Sequence, residues 1–292
     1  MSAAEQQNSD SRVLAVVVSY CAGSKLVATV QALSQQVDKV LVVDNGSDIA
    51  TLEILHILLT QDQIVLEALG QNLGLGYALN LGARRAEEWG YDWLLTMDQD
   101  SIAGPGMVAA LLAVTKANPS VRCVSPNIVQ YGEQPASLKS GQVAYAITSG
   151  NLVHLDVWRA AGPFNEGYFI DCIDFDFSLR VRRRGFTIHK AAAAMLHHEL
   201  GQKLQVRRPL DRFYTQHTPL RRYYMFRNFM HLSRAHVLHD PRFIGKLLAA
   251  HLLFLTLLLF YEPRLIINLR FIARGVRDFL MNRTGAYADP AH

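Results

Sequence analysis

The chain has 292 residues, half of them hydrophobic and only 18% charged, which supplies a large buried core and excludes a disordered or low-complexity scaffold. Its three cysteines (Cys21, Cys123, Cys172) include no Cys-x-x-Cys pair, so neither a disulfide framework nor a thiolate zinc site is expected and a reducing compartment fits. The net charge of +4 is uneven: residues 1–200 hold 14 Lys+Arg against 20 Asp+Glu (−6), whereas residues 201–292 hold 15 against 5 (+10).

A polar segment, residues 1–12, opens the chain without the apolar core of a signal peptide, so the expectation is that the protein acts in the cytoplasm. Strand and helix patterns then alternate. Val13–Ser19 is a continuous β-branched run of the kind buried in a parallel sheet. The patterns predict helices at 26–36, 51–60, 77–89 and 107–118, and strands at 40–44, 64–68, 93–97 and 121–125. This rhythm predicts a doubly wound α/β fold with a mostly parallel sheet, whose ligands sit at the carboxyl ends of strands. Three polar clusters fall at such ends: Ser19-Tyr20, Asp44-Asn45-Gly46-Ser47 and Asp98-Gln99-Asp100-Ser101.

After residue 126 the pattern changes. A polar loop at 132–141 leads into a short strand and then an acidic-aromatic segment, 164–184; beyond His198 the chain reads as helical and arginine-rich. We therefore expect a catalytic domain over 13–205 and a basic helical extension over 206–292. Within the extension, residues 247–261 (LLAAHLLFLTLLLFY) form the most apolar stretch. Fifteen residues fall short of the roughly 20 needed to span a bilayer. The segment reads either as a buried helix or, given its flanking arginines, as one lying in a membrane surface.

Six motifs carry chemistry. Asp98 and Asp100, one residue apart after a strand, can face a divalent cation while leaving it open positions for phosphate oxygens, although Asp-x-Asp is also a common turn. Asp44 can accept a hydrogen bond from a nucleobase imide, or merely close an Asn-Gly turn. Asn72-Leu73-Gly74-Leu75-Gly76 precedes a helix whose N-terminus favours phosphate, but the full dinucleotide fingerprint is missing, which disfavours a nicotinamide cofactor. In Phe169–Asp176, three acids lie among apolar residues. On a helix Asp171 and Asp174 share a face, and apolar surroundings raise a carboxyl pKa toward that of a general base; Asp176 is expected to pair with Arg180. His198 can complete the site begun by Asp100. Arg221-Arg222-Tyr223-Tyr224-Met225-Phe226-Arg227-Asn228 alternates cations with aromatics and reads as a diphosphate clamp in preference to a nucleic-acid surface, because the acidic body repels a polyanionic duplex.

In this order the motifs VVVSY, VDNGS, NLGLGYALNLGA, DQD, FIDCIDFDFSLR, HELG and PLRRYYMFRN resemble the family 2 glycosyltransferases, and more closely the bacterial dTDP-rhamnosyltransferases, over roughly residues 13–285. The resemblance implies a GT-A nucleotide-sugar fold and inverting transfer of L-rhamnose from dTDP-L-rhamnose to a glycan or glycolipid. It further implies that Asp44 reads the thymine, Asp98 sits near the ribose, Asp100 and His198 bind Mg²⁺ or Mn²⁺, and Asp174 is the base. Ser19, Tyr20, Asn45, Asn72, Gly74, Arg221, Arg222, Tyr223, Tyr224 and Arg227 complete the expected donor site. Many relatives have glutamate where this chain has Ile173. The expected partners are donor and acceptor, the inner face of the cytoplasmic membrane and a second copy of the chain, with no nucleic acid. The rival readings are another hexosyltransferase, a nucleotidyltransferase and a membrane-surface or nucleic-acid adaptor.

Overall fold

A computed structural model describes residues 12–130, 139–198, 203–206, 212–215 and 217–288. The N-terminal segment read as lacking a signal peptide, most of the polar loop at 132–141 and Glu199–Gly201 of the HELG motif lie outside the described residues. The chain divides into two compact units, one containing the described parts of 1–166 and 173–199, the other those of 167–172 and 200–292.

The first unit is an α/β sandwich. Its strands are β1 (Val13–Ser19), β2 (Lys39–Asp44), β3 (Ile64–Ala68), β4 (Trp93–Asp98), β5 (Ser101–Ala103), β6 (Cys123–Val129), β7 (Gly141–Val143), β8 (Asn151–His154) and β9 (Ile188–His198). They form one sheet in the order β3-β2-β1-β4-β8-β6-β9-β5, with β7 paired to β9. The longer ladders are parallel: β1 with β2 and β4, β2 with β3, and β6 with β9. The shorter pairings made by β8, β5 and β7 are antiparallel. Helices α1 (Lys25–Ser34), α2 (Ile49–Leu58), α3 (Leu75–Glu88), α4 (Met107–Ala117), α5 (Leu155–Ala161) and α6 (Ile173–Arg183) complete the unit. Every residue of β1 is buried, and one core cluster joins Val13, Ala15 and Val17 to Leu26, Val30, Leu33, Val42, Leu95 and Leu111. Continuous apolar strands covered on both faces are what a parallel sheet demands.

Parallel pairing aligns the strand ends that matter. Ser19 lies opposite Asp44, and Val18 opposite Asp98. Antiparallel pairing of β5 with β9 sets Ser101 opposite His198. Three extra residues bulge from β9, so that Pro126 pairs with Ala191 and Asn127 with Met195; this absorbs part of the alanine run and re-aims the strand end.

Beyond residues 167–172, the second unit holds a hairpin, β10 (Lys203–Val206) against β11 (Arg212–Thr215), where a helical continuation was expected. Three helices follow: α7 (Pro219–His236), α8 (Pro241–Tyr261) and α9 (Leu265–Leu280). Gly275 lets α9 approach α7, since a Cβ there would stand 2.6 Å from the Tyr223 carbonyl oxygen. Helix α8 contains the whole 15-residue apolar segment and extends it by six residues toward the N-terminus. Asp240 caps it by accepting from the Phe243 amide at 3.0 Å, and Pro241 occupies its first turn, so the helix has 21 residues. By length and composition it is long and apolar enough to cross a membrane, and only 22% of its most apolar stretch is buried. Most of that stretch is thus exposed on the single chain rather than buried within it.

Candidate active site

The carboxyl ends of three adjacent parallel strands converge. Asp44, at the end of β2, is 1% exposed; its Oδ2 accepts from the Ser47 amide at 3.0 Å, while Oδ1 is buried without a hydrogen-bond partner. Beside it, the Ser19 hydroxyl is also buried and unpartnered. An orphaned buried polar atom costs about 1–3 kcal/mol, so these two groups are candidates for a ligand that supplies the missing partners.

The loops around these groups are built by side chains expected to touch the donor. Asn45 donates to Asn72 Oδ1 at 3.0 Å and accepts from the Leu73 amide at 2.8 Å, and the Asn72 oxygen also accepts from the Gly74 amide at 3.0 Å. Asn45 and Asn72 thus tie the loop after β2 to the loop before α3. Gly74 itself, at φ 91°, is the N-cap of α3. Gln99, to which the sequence reading gave no role, clasps the half-exposed Tyr20 by accepting from its amide at 2.6 Å and donating to its carbonyl at 3.1 Å.

Asp98 ends β4, and Asp100 follows in the turn before β5. The β5–β9 register brings His198 to them, and Asp98, Asp100 and His198 each offer a ligand atom within 4.8 Å of the others. His198 Nδ1 lies 3.8 Å from Asp100 Oδ1 and 2.7 Å from the Ser101 hydroxyl. Two hard carboxylates and one imidazole, all partly exposed, are donors that suit Mg²⁺ or Mn²⁺ and leave coordination positions for a ligand.

Asp174 occupies the first turn of α6 and is half-buried; its Oδ1 accepts from the Phe175 amide at 2.9 Å. Asp176 takes the expected structural role. It is 4% exposed and accepts from Arg180 Nε at 2.8 Å, and Arg180 also donates to the Ala161 and Gly162 carbonyls.

Asp171 departs from expectation. Helix α6 starts only at Ile173, and Phe169, Asp171 and Cys172 adopt left-handed φ values of 64°, 66° and 65°. Asp171 is therefore not one helical turn before Asp174, and its carboxylate accepts from Arg221 Nη2 at 3.0 Å. The reason lies in the second unit. Asn228 donates to the carbonyls of Tyr168, Ile170 and Asp171, and Arg227 to those of Gly167 and Tyr168. Those carbonyls are thus unavailable to a helix.

The diphosphate clamp is corrected for the same reason. Arg222 and Arg227 are 0% and 1% exposed. Arg222 is bonded to Glu262 and donates to the His217 carbonyl, while Arg227 also donates to the Gly285 carbonyl and the Tyr223 hydroxyl. Tyr223 donates to Asp278 Oδ2 at 2.9 Å, and Tyr224 stacks on Phe169 and bonds the Tyr287 amide. Four of the five residues expected to grip phosphate thus form the interior of the helical unit; only Arg221 is exposed at its surface, in its ion pair with Asp171.

Comparison with known proteins identifies the family. The family model described as glycosyl transferase family 2 matches residues 15–177, more than half of the chain. A dTDP-rhamnosyl transferase, RfbF of Shigella flexneri, is 28% identical over 253 residues, covering 78% of this chain and 82% of that protein. Among solved structures, S. aureus TarS 1-349 in complex with UDP-GlcNAc superposes with a TM-score of 0.64 at 15% identity, over 92% of this chain and 81% of that one. The mannosyltransferase PcManGT from Pyrobaculum calidifontis, in complex with GDP-Man and Mn²⁺, gives 0.56 at 15% identity, over 93% and 87%. These two likenesses show a GT-A-like fold. With the family model spanning β1 to the middle of α6, the chain belongs to glycosyl transferase family 2 and is a glycosyltransferase.

Proposed function

We propose that the protein transfers L-rhamnose from dTDP-L-rhamnose to a hydroxyl of a glycan or glycolipid, with inversion at the anomeric carbon. The observation that carries this reading is the presence, within one unit, of the Asp44 carboxylate, with its Oδ1 unpartnered, and of the Asp98/Asp100/His198 trio. The first supplies an acceptor for a nucleobase N–H and the second a place for a cation on a diphosphate. The likeness to RfbF supports rhamnose as the sugar.

Asp100 and His198 would hold Mn²⁺ or Mg²⁺, with Asp98 beside them. When bound, the ion supplies positive charge that stabilises the departing diphosphate. The chain's own residues do the rest. Asp44 and Ser19 hold the nucleobase end, and Asn45 and Asn72 keep those loops closed around it. Asp174 accepts the proton of the acceptor hydroxyl as it attacks from the face opposite the leaving group.

A thermal-shift series tests the donor. At a hundred times its dissociation constant, dTDP-L-rhamnose with Mn²⁺ stabilises the protein by about 2.7 kcal/mol, and UDP-glucose or GDP-mannose by clearly less. Equal stabilisation by all three, or no effect of chelator, contradicts the assignment.

We further infer that the helical unit rests on an anionic membrane surface through α8. Leu248, Leu252, Leu259 and Phe260 are 47–78% exposed and fall within roughly a third of the helix circumference. Arg242 and Lys246 are exposed at the start of the helix and Arg264 just after it. The acids of this region face inward: Asp240 caps α8, Glu262 binds Arg222, and Asp278 is bonded to Tyr223 and Arg283. The exposed charge is left cationic, a complement to anionic head groups. An in-plane helix fits better than a spanning one. Although the whole of α8 has the length to cross, its uncharged part, the 15 residues after Lys246, rises only about 22 Å, short of a hydrocarbon core of roughly 30 Å. The opposite side of α8 also meets α7, where His251 stacks on Phe229 at 4.0 Å.

A further inference from the structure

Behind the Asp98/Asp100/His198 trio lies a short chain of hydroxyls that the proposed reaction does not use. Ser101 and Ser149 are both fully buried. The Ser101 hydroxyl is 2.7 Å from His198 Nδ1, and the Ser149 hydroxyl is 2.7 Å from that of Ser101. Ser149 also accepts from the Asp98 amide at 3.3 Å and lies 3.5 Å from the thioether sulfur of Met97. Thus two members of the trio, brought in by different strands, are joined through two buried side chains. Neighbouring Thr148 reaches the Asp98 carboxylate itself, at 3.5 Å.

We propose that Ser101 and Ser149 are positioning residues of the metal site, which fix the ring plane of His198 and decide which of its nitrogens is free to ligate. Each hydroxyl has one proton to donate, and a neutral imidazole carries one on a single nitrogen. If the chain runs toward the ring, Ser149 donates to Ser101 and Ser101 to Nδ1; Nε2 then carries the proton and cannot bind a cation. If it runs away from the ring, Nδ1–H donates to Ser101, Ser101 to Ser149, and Ser149 to the Met97 sulfur. Nε2 then presents its lone pair. The thioether is a weak acceptor, yet it gives the second arrangement an end point without an unpaired buried hydroxyl. A cation that takes Nε2 would select that arrangement, and the two serines would hold the ring in place for it. Partners of this kind behind a ligating histidine are typically worth about 10–100-fold in metal affinity.

This inference rests on the metal reading of the trio, and the experiment separates the two. Mn²⁺ is titrated into the full-length protein and free Mn²⁺ is read by electron paramagnetic resonance, for the parent, Ser101→Ala, Ser101→Thr and Ser149→Ala, with circular dichroism and melting curves reporting on the fold. The parent binds; Ser101→Ala binds about 10–100-fold more weakly; Ser101→Thr, which keeps the hydroxyl, recovers most of the loss; Ser149→Ala lies between. In parallel, ¹⁵N-histidine spectra of the Mg²⁺-loaded parent show His198 protonated at Nδ1. Ser101→Ala binding as tightly as the parent, or more tightly, overturns the proposal, as does a proton on Nε2 in the Mg²⁺-loaded parent. A parent that binds no Mn²⁺ overturns the metal reading along with it. Should Ser101→Ala fail to fold, Ser149→Ala and the parent spectra decide.

Discussion

At the scale of single residues, Asp44, Asp174 and Asp176 are treated differently within one unit. Asp44 is buried with one oxygen left for a ligand, Asp176 is buried and spent on Arg180, and Asp174 is half-buried in the first turn of α6. Only the last has both access and the geometry of a helix start, which is why it is assigned the proton. Asp174→Asn keeps shape and hydrogen-bonding capacity but cannot take a proton. Turnover should fall by roughly 10²–10⁴-fold with donor affinity unchanged, as measured by steady-state rates alongside calorimetric titration of the donor. Near-normal turnover in Asp174→Asn with a collapse in Asp171→Asn moves the base to Asp171, despite its ion pair with Arg221.

Loops and strand registers decide how those residues meet. Gly46, at φ 82°, lies so close to the loop before α3 that a Cβ would stand 2.5 Å from the Gln71 carbonyl carbon. Gly46→Ala must therefore push the 70–72 loop away and break the Asn45–Asn72 tie. A loss of at least about 1 kcal/mol in denaturant unfolding is expected, with weaker donor binding; an unchanged midpoint and affinity would show the loop to be slack. The alternation of β1 to β4 with α1 to α4 was legible in the sequence because apolar runs and turn residues punctuate it, and the structure moves most of those boundaries by one or two residues. The pairing of Asp176 with Arg180 was legible as an i, i+4 spacing. The set of Asp98, Asp100 and His198 was legible as residue types, but what joins them is the β5–β9 register, which no local spacing encodes. The helix start at Ile173 and the interior fate of Arg222 and Arg227 were not legible. A guanidinium that binds phosphate and one that satisfies backbone carbonyls look alike in a sequence, and burial alone separates them.

On the scale of the whole molecule, the charge asymmetry takes a physical form: an acidic α/β unit that holds the chemistry and a basic helical unit with an apolar, exposed α8. Burial pushes His217 and His251 below their ordinary pKa, so the positive charge of the helical unit comes from its arginines rather than from these histidines. Sedimentation with liposomes tests the surface. Binding to anionic vesicles at low salt, lost with neutral lipid or in Leu252→Glu/Phe260→Glu, is expected; a protein that stays in the supernatant with anionic vesicles contradicts the membrane proposal. The central claim, metal-dependent inverting transfer of rhamnose, is tested most directly by proton NMR of the anomeric signals while dTDP-β-L-rhamnose is turned over with a bacterial glycan and lipid extract. The account predicts release of dTDP, an α-configured rhamnosyl product, and arrest of both by chelator with recovery on adding Mn²⁺. A β-configured product, or transfer that continues undiminished in chelator, would contradict it.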